Sequence, residues 1–265
     1  MLRVFTAFSG YDSQCLALNV LDKDYFMSWR EINGRMRAVT AFSYELVGWS
    51  EIDKYAIKAH NALFPQWADR NYGDISKIDW EKVPDFDLFT YSSPCQDFSY
   101  AGKHNGAEKG SGTRSSLLWE CERAIRIKRP KYLLFENVAA VASKKFIKLF
   151  NSWQLTLDRM GYTNFTQVLN AKTHGYPTPV PQSRERLFMV SILNCDQPFY
   201  FPEAQPLTQR LVDILETDVD ESYYLSQHTI DVFNAHKERS QQAGNGFGWN
   251  PTDGGVLRKP SKQDR

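Results

Sequence analysis

The sequence predicts an α/β fold in which a mostly parallel sheet is covered by helices on both faces. Short apolar runs rich in β-branched and aromatic residues alternate with longer segments of helical period, which is typical of such a sheet. The chain has 265 residues, of which 42% are hydrophobic, and this is enough for one main core. The strands are predicted at residues 2–8, 44–50, 87–92, 132–136, 165–171 and 187–193.

Helices are predicted between these strands from the spacing of apolar residues. The segment 115–128 places its apolar residues on one face, and Pro130 is positioned to end the helix. The segments 53–63 and 144–160 have the same period, although the second could break near Trp153.

Two other segments lack this regularity. Residues 97–112 contain four glycines and little apolar content, which predicts an exposed, mobile loop. Beyond Phe201 the pattern weakens, and residues 241–265 are polar and glycine-rich, with no further strand or helix predicted. Such a tail is typical of a disordered terminus, a linker or the beginning of another domain.

The overall charge does not identify a partner, but one segment of the chain is strongly basic. A net charge of +1 at pH 7 neither requires nor excludes a nucleic acid. Eight basic residues fall within residues 123–148, which contain a single acid, Glu136. They predict either a solvated helix face or contacts with phosphates. They are Arg123, Arg126, Lys128, Arg129, Lys131, Lys144, Lys145 and Lys148.

Composition also argues against several classes of protein. No apolar run approaches the roughly 18 residues of a membrane span, and the first residues do not resemble a signal peptide. The four cysteines are scattered and form no CxxC pair, so neither a zinc site nor a disulfide framework is predicted. We therefore expect a cytoplasmic protein without a metal site.

Glycine and acidic residues follow the first strands of the predicted sheet. Gly10 lies where the first strand turns into a helix, and Glu51 ends the second strand with Asp53 nearby. Asp74 follows Gly73 after the next helix. Each could be an ordinary turn glycine or a helix-capping carboxylate. Together, at neighbouring strand ends, they indicate a site for an adenosine-type ligand.

A thiol and a carboxyl group are predicted to share the mouth of the sheet. Cys95 follows Pro94 at the carboxyl end of one parallel strand, and Glu136 with Asn137 ends the neighbouring strand. The proline restricts the turn that presents the thiol, as a nucleophile requires. The alternative is that Cys95 is a buried apolar residue, the role expected for the other three cysteines, Cys15, Cys121 and Cys195.

Two arginines precede the last predicted strand. Arg184 and Arg186 are two residues apart in PQSRER, so they project from the same face if the strand begins there. Two guanidinium groups at this position suit a phosphate or the polar edge of a base.

The order of these motifs resembles the DNA cytosine-5 methyltransferase family. FSG, SEID, GDI, SSPCQDFS, GTRSSLLWE, FENV and QSRER occur in the order and approximate spacing of that family's motifs, from Val4 to about Leu193. The resemblance implies a Rossmann-like fold that uses S-adenosylmethionine, with an antiparallel strand late in the sheet. It also implies double-stranded DNA as the partner, in a bacterial or phage-infected cell.

The resemblance assigns catalytic roles to three residues. In the family, a cysteine thiolate adds to carbon 6 of cytosine while the glutamate of ENV contacts ring nitrogen 3 and the exocyclic amine. Carbon 5 then attacks the methyl sulfonium. Here these roles would fall on Cys95 and Glu136. Arg184 would help to hold the flipped base, with Gln182 and Arg186 structural or phosphate-facing.

The resemblance also implies binding residues on both sides of the site. For S-adenosylmethionine, the matching residues are Phe8, Gly10, Glu51, Ile52, Asp74, Ile75 and Pro94. For DNA, they are Gln96, Ser99, Gln182 and Arg186. The loop at 97–112 is expected to close over the DNA.

The chain departs from the family's pattern in three places. Asp12 and Ser13 replace glycines of the first motif, and GYPTPVP is longer than the usual GVP or GYP. After QSRER, neither the recognition domain nor the last motifs are recognisable. We therefore expect a catalytic domain at 1–200 and, at 201–265, a linker or the incomplete start of a recognition region.

Two alternatives remain at this point. One is methylation of RNA cytosine by the same chemistry, although the chain lacks the CFT tripeptide usual in that branch. The other is an inactive or split methyltransferase that binds DNA or cofactor and works with a separate recognition subunit.

Overall fold

The computed structural model describes most of the chain. The described residues are 1–25, 29–32, 35–38, 43–92, 117–175, 178–216, 220–242, 247–250 and 255–258. Two compact units are present, Met1–Gln209 and Arg210–Arg265. None of the described helices is long and apolar enough to cross a membrane.

The first unit is built on a six-stranded sheet in the order β4-β1-β5-β6-β8-β7. The strand β8 runs antiparallel to both of its neighbours, whereas β4, β1, β5 and β6 pair in parallel. The predicted mostly parallel sheet with one late antiparallel strand is therefore confirmed. The strands are β1 (Leu2–Ala7), β4 (Tyr44–Ser50), β5 (Leu88–Tyr91), β6 (Tyr132–Val138), β7 (Tyr162–Asn170) and β8 (Glu185–Leu193).

Four helices accompany this sheet, and two apolar clusters form its core. The larger cluster joins the sheet to α3 and α4, and the smaller one joins β1 and β4 to α1 and the end of α2. Helices therefore cover both faces, as predicted. They are α1 (Ser13–Tyr25), α2 (Lys54–Leu63), α3 (Leu118–Lys128) and α4 (Ile147–Arg159).

Local chemistry explains where these helices begin and end. Asp53 caps α2 by accepting hydrogen bonds from the backbone of Tyr55 and Ala56, both at 2.9 Å. Arg129 ends α3 in the left-handed conformation at φ 46°, and Pro130 follows it. The helix α4 does not break near Trp153, because this side chain is fully buried in the main core and the helix continues through it.

Several elements were not predicted from the sequence. A helix was expected after Gly10, but the bounds of α1 were not predicted. The polar segment 22–41 contains a hairpin of β2 (Trp29–Ile32) and β3 (Arg35–Ala38). In the second unit, α5 (Gln227–Gln242) is followed by a hairpin of β9 (Phe247–Asn250) and β10 (Gly255–Arg258). The expectation of no regular structure in residues 241–265 is therefore wrong.

Candidate active site

A cleft of about 730 Å³ lies at the sheet edge where the parallel strands end. Its polar lining comes from the ends of β1, β5 and β6, from the segment between β7 and β8, and from α1 with the turn before it. In α/β folds this edge is where ligands bind. The residues that bring polar or aromatic groups to this part of the cleft are Phe8, Ser9, Thr90, Ser92, Glu136, Asn170, His174, Arg184, Arg186 and Phe188.

Glu136 is held in the cleft by two neighbours. Its Oε2 accepts a hydrogen bond from the Ser92 hydroxyl at 3.2 Å, and its Oε1 lies 3.1 Å from Nε of Arg186. The side chains of Glu136 and Arg186 are only 25% and 23% exposed. The Glu136 carboxylate therefore contacts the Ser92 hydroxyl and the Arg186 guanidinium in a partly desolvated part of the cleft.

The sheet register explains this arrangement. In the antiparallel pairing of β6 with β8, Glu136 lies opposite Phe188 and Val138 opposite Arg186. Glu136 and Arg186 are therefore diagonal neighbours on one face, within reach of long side chains. The buried residues of β6, including Phe135 and Asn137, alternate with Glu136 and point to the other face.

Arg184 occupies a different position from Arg186. It precedes β8, and its backbone N–H donates to Oδ1 of Asn170 at 3.2 Å while its carbonyl accepts from Ala171 at 3.1 Å. Its side chain is exposed and lines the cleft, whereas Arg186 is the arginine that reaches Glu136. Asn170, which sequence analysis missed, is the buried amide that anchors this turn.

The expected cofactor end is organised around Gly10 and Glu51. Gly10 has φ +59° and its backbone N–H donates to Oε2 of Glu51 at 2.9 Å. The other carboxylate oxygen accepts from the backbone N–H groups of Ile52 and Asp53 at 2.8 and 2.9 Å. No heavy atom lies within 4 Å of a Cβ built on Gly10, so open space adjoins this turn. An open glycine turn beside a carboxylate fits an adenosine-type ligand.

Asn71 is a further residue of this region that sequence analysis missed. Its Oδ1 accepts from the backbone N–H groups of Glu51 and Gly73 at 3.2 and 2.9 Å, and its Nδ2 donates to the Glu51 carbonyl at 3.1 Å. Ser50 completes the connection by donating to the Gly73 carbonyl at 2.6 Å. The loop before Asp74 is thereby tied to the end of β4.

The predicted adenine contacts differ in accessibility. Ile52 is 72% exposed, whereas the Ile75 side chain is 2% exposed and packs in the main core. Asp74 accepts from the hydroxyl and the backbone N–H of Ser76, and these hydrogen bonds, with Lys77 nearby, lower the pKa of its carboxyl group. Asp74 is therefore a stable anion at the start of a short turn.

Asp12, one of the departures from the family's glycine pattern, is fully buried. It adopts φ +66°, a conformation that glycine and aspartate tolerate better than most residues. Its carboxylate accepts from the Thr6 hydroxyl at 2.7 Å and the Cys15 backbone N–H at 3.2 Å. Nε2 of His60 lies 3.6 Å away, and the His60 ring stacks on Trp49 with centroids 3.7 Å apart.

The cysteines with described positions differ in burial. Cys15 and Cys121 are fully buried, as predicted, and burial raises the pKa of both thiols. The expectation of a buried Cys195 is wrong, because it is partly exposed and its thiol donates to the Gln197 carbonyl at 2.9 Å. Among the described residues, no cluster of His, Cys, Asp and Glu could hold a metal ion.

Some predicted site residues cannot be compared with the geometry. Pro94, Cys95, Gln96, Ser99 and the glycine-rich loop at 97–112 lie outside the described residues. Gln182 is exposed in the segment before β8, where its backbone N–H donates to the Val180 carbonyl at 2.6 Å.

Comparison with known proteins identifies relatives along most of the chain. A model of the family described as C-5 cytosine-specific DNA methylase matches residues 31–263. The chain is 40% identical over 263 residues to the Type II methyltransferase M2.ScrFI of Lactococcus lactis subsp. cremoris, covering 87% of this chain and 72% of the relative. It is 34% identical over 200 residues to the Type II methyltransferase M.NlaX of Neisseria lactamica, covering 76% of this chain and 61% of the relative.

A third relative is the orphan methyltransferase M.SPRI of Bacillus phage SPR, with 35% identity over 214 residues. That alignment covers 69% of this chain and 47% of the relative, so the chain spans only part of the curated relatives it matches.

Solved structures establish the fold. The S. pombe Dnmt2 methyltransferase superposes with a TM-score of 0.62 at 19% identity, covering 89% of this chain and 66% of the other. A Spodoptera frugiperda DNMT2 mutant gives 0.62 at 18%, covering 88% and 65%. The six-stranded sheet with helices on both faces is therefore a Rossmann-like methyltransferase fold. Together with the match over residues 31–263, these findings show that the chain belongs to the C-5 cytosine-specific DNA methylase family.

Proposed function

We propose that this protein transfers a methyl group from S-adenosylmethionine to carbon 5 of cytosine in double-stranded DNA. The observation that carries the proposal is the placement of Glu136. Its partly desolvated carboxylate lies at the carboxyl edge of the sheet, hydrogen-bonded to Ser92, three residues before Cys95 in the sequence. Family membership supports the same reaction.

Carbon 5 of cytosine is a weak nucleophile, and two groups of this chain would activate it. The Cys95 thiolate forms a bond to carbon 6, which moves electron density towards carbon 5 and ring nitrogen 3. A proton shared between the Glu136 carboxyl group and nitrogen 3 neutralises the negative charge that develops there, while the other carboxyl oxygen accepts a hydrogen bond from the exocyclic amine. After methyl transfer, loss of the proton from carbon 5 restores the double bond and releases the sulfur.

The two arginines support this step differently. Arg186 is within 3.1 Å of the Glu136 carboxylate, so we assign it to orienting that carboxylate and the polar edge of the base. Arg184 lies in the same cleft with an exposed side chain, and we assign it to the flipped nucleotide or its phosphate. The resemblance alone implied a structural or phosphate-facing role for Arg186, and this assignment adds the orientation of the Glu136 carboxylate.

The cofactor would lie between Phe8, the Gly10 turn and Glu51. S-adenosylmethionine supplies an electrophilic methyl group when it is bound. The open space at Gly10 would admit its methionine part, and the Glu51 carboxylate would accept hydrogen bonds from ribose hydroxyls. The exposed Ile52 side chain offers an apolar surface to adenine, whereas Ile75 would contribute through its backbone.

The target carbon is inaccessible within a stacked duplex, so the nucleotide must be flipped into the cleft. Flipping costs about a few kcal/mol, and contacts with phosphates offset this cost. We propose Gln96, Ser99 and Gln182 as further DNA contacts, in keeping with the family motifs that they match.

A covalent trap tests the proposal. Fluorine at carbon 5 cannot leave as a proton does, so 5-fluorocytosine in duplex DNA should retain the protein after methyl transfer. We expect a denaturation-resistant adduct that requires S-adenosylmethionine and maps to Cys95 by peptide mass spectrometry. The Cys95→Ser variant should form none while binding the cofactor with an affinity within about threefold of wild type. An adduct of undiminished yield with Cys95→Ser would exclude Cys95 as the nucleophile.

A further inference from the structure

The basic segment of the sequence is divided by the fold between two opposite edges of the sheet. The helix α3 ends just before β6 begins, and the last turn of α4 leads into the start of β7, so both helix ends lie at the amino edge of β6. The turn between β6 and α4 lies at the opposite edge, where β6 ends and the cleft opens.

The basic residues at the amino edge have partners within the protein. Arg126 pairs with Glu122 at 2.8 Å, and Lys128 with Asp85 at 3.2 Å. Arg129 donates to the Met160 carbonyl at 3.0 Å, and Lys131 to the Leu193 carbonyl at 2.7 Å. Arg123, within α3, donates to the Ser76 carbonyl at 3.1 Å. Intramolecular hydrogen bonds and ion pairs therefore account for five of the eight basic residues.

Among the residues that the structure describes, the lysines at the cleft edge have no carboxylate or carbonyl partner of this kind. Lys144 and Lys145 precede α4 and Lys148 lies in its first turn, and all three side chains are exposed. Within the described ranges, none of them forms an ion pair with a carboxylate, and the sequence contains no acid between Glu136 and Asp158. The ammonium group of Lys145 lies over the Phe146 ring, 5.2 Å from its centroid.

Helix stability does not explain these lysines. Cations near a helix N-terminus face the positive end of the helix dipole, which is unfavourable, and α4 has neither an acid in its first turn nor a side-chain cap. Three positive charges gathered there repel one another as well. A role in binding an anionic partner is consistent with their exposure, with the absence of carboxylate partners among the described residues, and with their position.

We propose that Lys144, Lys145 and Lys148 form a surface that binds phosphates of duplex DNA beside the flipped cytosine. These three residues are called the cleft-edge lysines. The inference rests on the proposed function, because it takes the cleft as the place where the target base enters. Four of the eight residues after Glu136 form a 3₁₀ turn, Ala139–Ala142, which packs against β8. With about 2 Å per residue in that turn and at most about 3.6 Å elsewhere, Lys144 lies within about 22 Å of Glu136. That is about six base pairs along a duplex at about 3.4 Å each.

The test is the salt dependence of binding to an unmethylated duplex. Each phosphate contact contributes about 0.9 to the slope of log K against log salt concentration. For the triple variant Lys144→Gln, Lys145→Gln and Lys148→Gln, we expect this slope to fall by about 2 to 3. Affinity at about 100 mM salt should fall about 10- to 100-fold, uniformly across DNA sequences.

A matched control removes the same charge from the amino edge. The triple variant Arg126→Gln, Lys131→Gln and Arg159→Gln changes three exposed basic residues at helix or strand ends. Its slope should differ from that of wild type by less than about 0.5, which is well below the change of about 0.9 expected for the loss of one phosphate contact. The cleft-edge variant should unfold at the wild-type temperature or slightly above it, because it removes cations from a helix N-terminus. If it does not fold, Lys144→Gln alone should lower the slope by about 1.

The outcomes separate this inference from the proposed function. If wild type binds duplex DNA and forms the 5-fluorocytosine adduct, but the cleft-edge variant keeps the wild-type slope, the lysine surface is excluded and the enzyme assignment stands. If the slope falls as expected but no protein forms an adduct or 5-methylcytosine, the surface stands and the proposed function fails. If the cleft-edge and amino-edge variants lower the slope equally, the effect comes from the net charge of the protein and not from the cleft-edge lysines. That result would also overturn the inference.

Discussion

The Glu136 carboxylate is fixed on both of its oxygens, by the Ser92 hydroxyl and by the Arg186 guanidinium. A carboxylate held in this way keeps its orientation at little entropic cost when a base arrives. The strand register places Arg186 at this position, and so the ion pair follows directly from the antiparallel insertion of β8 beside β6.

Replacing Glu136 by Gln tests the role of this carboxylate. The amide keeps the size of the side chain but cannot pass a proton to nitrogen 3, so the rate of a single turnover should fall about 10²- to 10⁴-fold. Cofactor affinity, measured by calorimetry, should remain within about twofold. Glu185→Gln, on an exposed neighbour in β8, is the control and should be near wild type. A Glu136→Gln rate within threefold of wild type would contradict the assignment.

Asp12 illustrates what a single departure from a family pattern does. Its buried carboxylate connects the turn after β1 to the start of α1 through Thr6 and Cys15, with His60 of α2 on its other side. The neighbouring Gly10 turn is the one expected to approach the cofactor. We therefore expect Asp12 to act as a positioning residue for that turn.

Asp12→Asn should weaken this connection. The amide can accept only one of the two present hydrogen bonds in its original direction, which leaves a buried donor or acceptor unpaired at about 1–3 kcal/mol. Unfolding in urea measures this loss, and the dissociation constant for S-adenosylmethionine should rise with it. Ser13→Ala, on the exposed neighbour, should cost less than about 0.5 kcal/mol. If Asp12→Asn has the same free energy of unfolding as wild type, the negative charge of Asp12 does not contribute to stability.

Strand positions are the elements that the sequence predicts best. Tyr44–Ser50 is matched at both ends, because its apolar residues lie between polar turns and pair within the sheet. A helix was expected after Gly10, but its bounds were not predicted. Of the side chains described in α1, only Cys15 is buried, so the spacing of its apolar residues carries little amphipathic pattern. In α5 none of the described side chains is buried, and the same reason applies.

A polar clamp joins the starts of β1 and β5. Asp87 accepts from the backbone N–H of Arg3 at 3.0 Å and from its guanidinium at 2.8 and 3.1 Å, and the Asp87 N–H donates back to the Arg3 carbonyl at 2.9 Å. The hydrogen bonds from the Arg3 side chain are the main cause of a lowered Asp87 pKa.

This clamp predicts a pH-dependent contribution to stability. Because the Asp87 pKa is lower in the folded chain, its contribution is present above the unfolded value of about 4 and is lost as the pH falls through the folded value. Asp87→Asn should lower the free energy of unfolding by about 0.5–1 kcal/mol at pH 7, a modest loss because the pair is partly exposed. Urea unfolding should show this difference shrinking below pH 4. A difference that stays constant with pH would contradict it.

Contacts between residues that are far apart in the chain could not be predicted from the sequence. The motif order predicts Glu136, Arg184 and Arg186 at one cleft, and the structure brings all three there. Asn71 and Asn170 were missed because a single asparagine has no distinguishing pattern. Their function arises only when tertiary packing buries an amide beside backbone groups that need partners.

At the scale of the whole molecule, the chain is nearly neutral but its charged residues are distributed unevenly. Its net charge is +1, yet basic groups at the amino edge are paired internally while the cleft-edge lysines are left exposed. On the proposed function, such an arrangement would direct a polyanion to the edge where Glu136 and the arginines lie. The second unit, Arg210–Arg265, contains its own helix and hairpin.

The most direct measurement is transfer of labelled methyl from S-adenosylmethionine to unmethylated duplex DNA by the 265-residue chain, with the product nucleosides separated by mass spectrometry. Duplex RNA of matching sequence and the Cys95→Ser variant serve as controls. Labelled 5-methylcytosine from DNA with wild type alone is the predicted result. Label in RNA but not DNA, label in another nucleoside, or no transfer despite measurable binding of cofactor and DNA would contradict the proposed function.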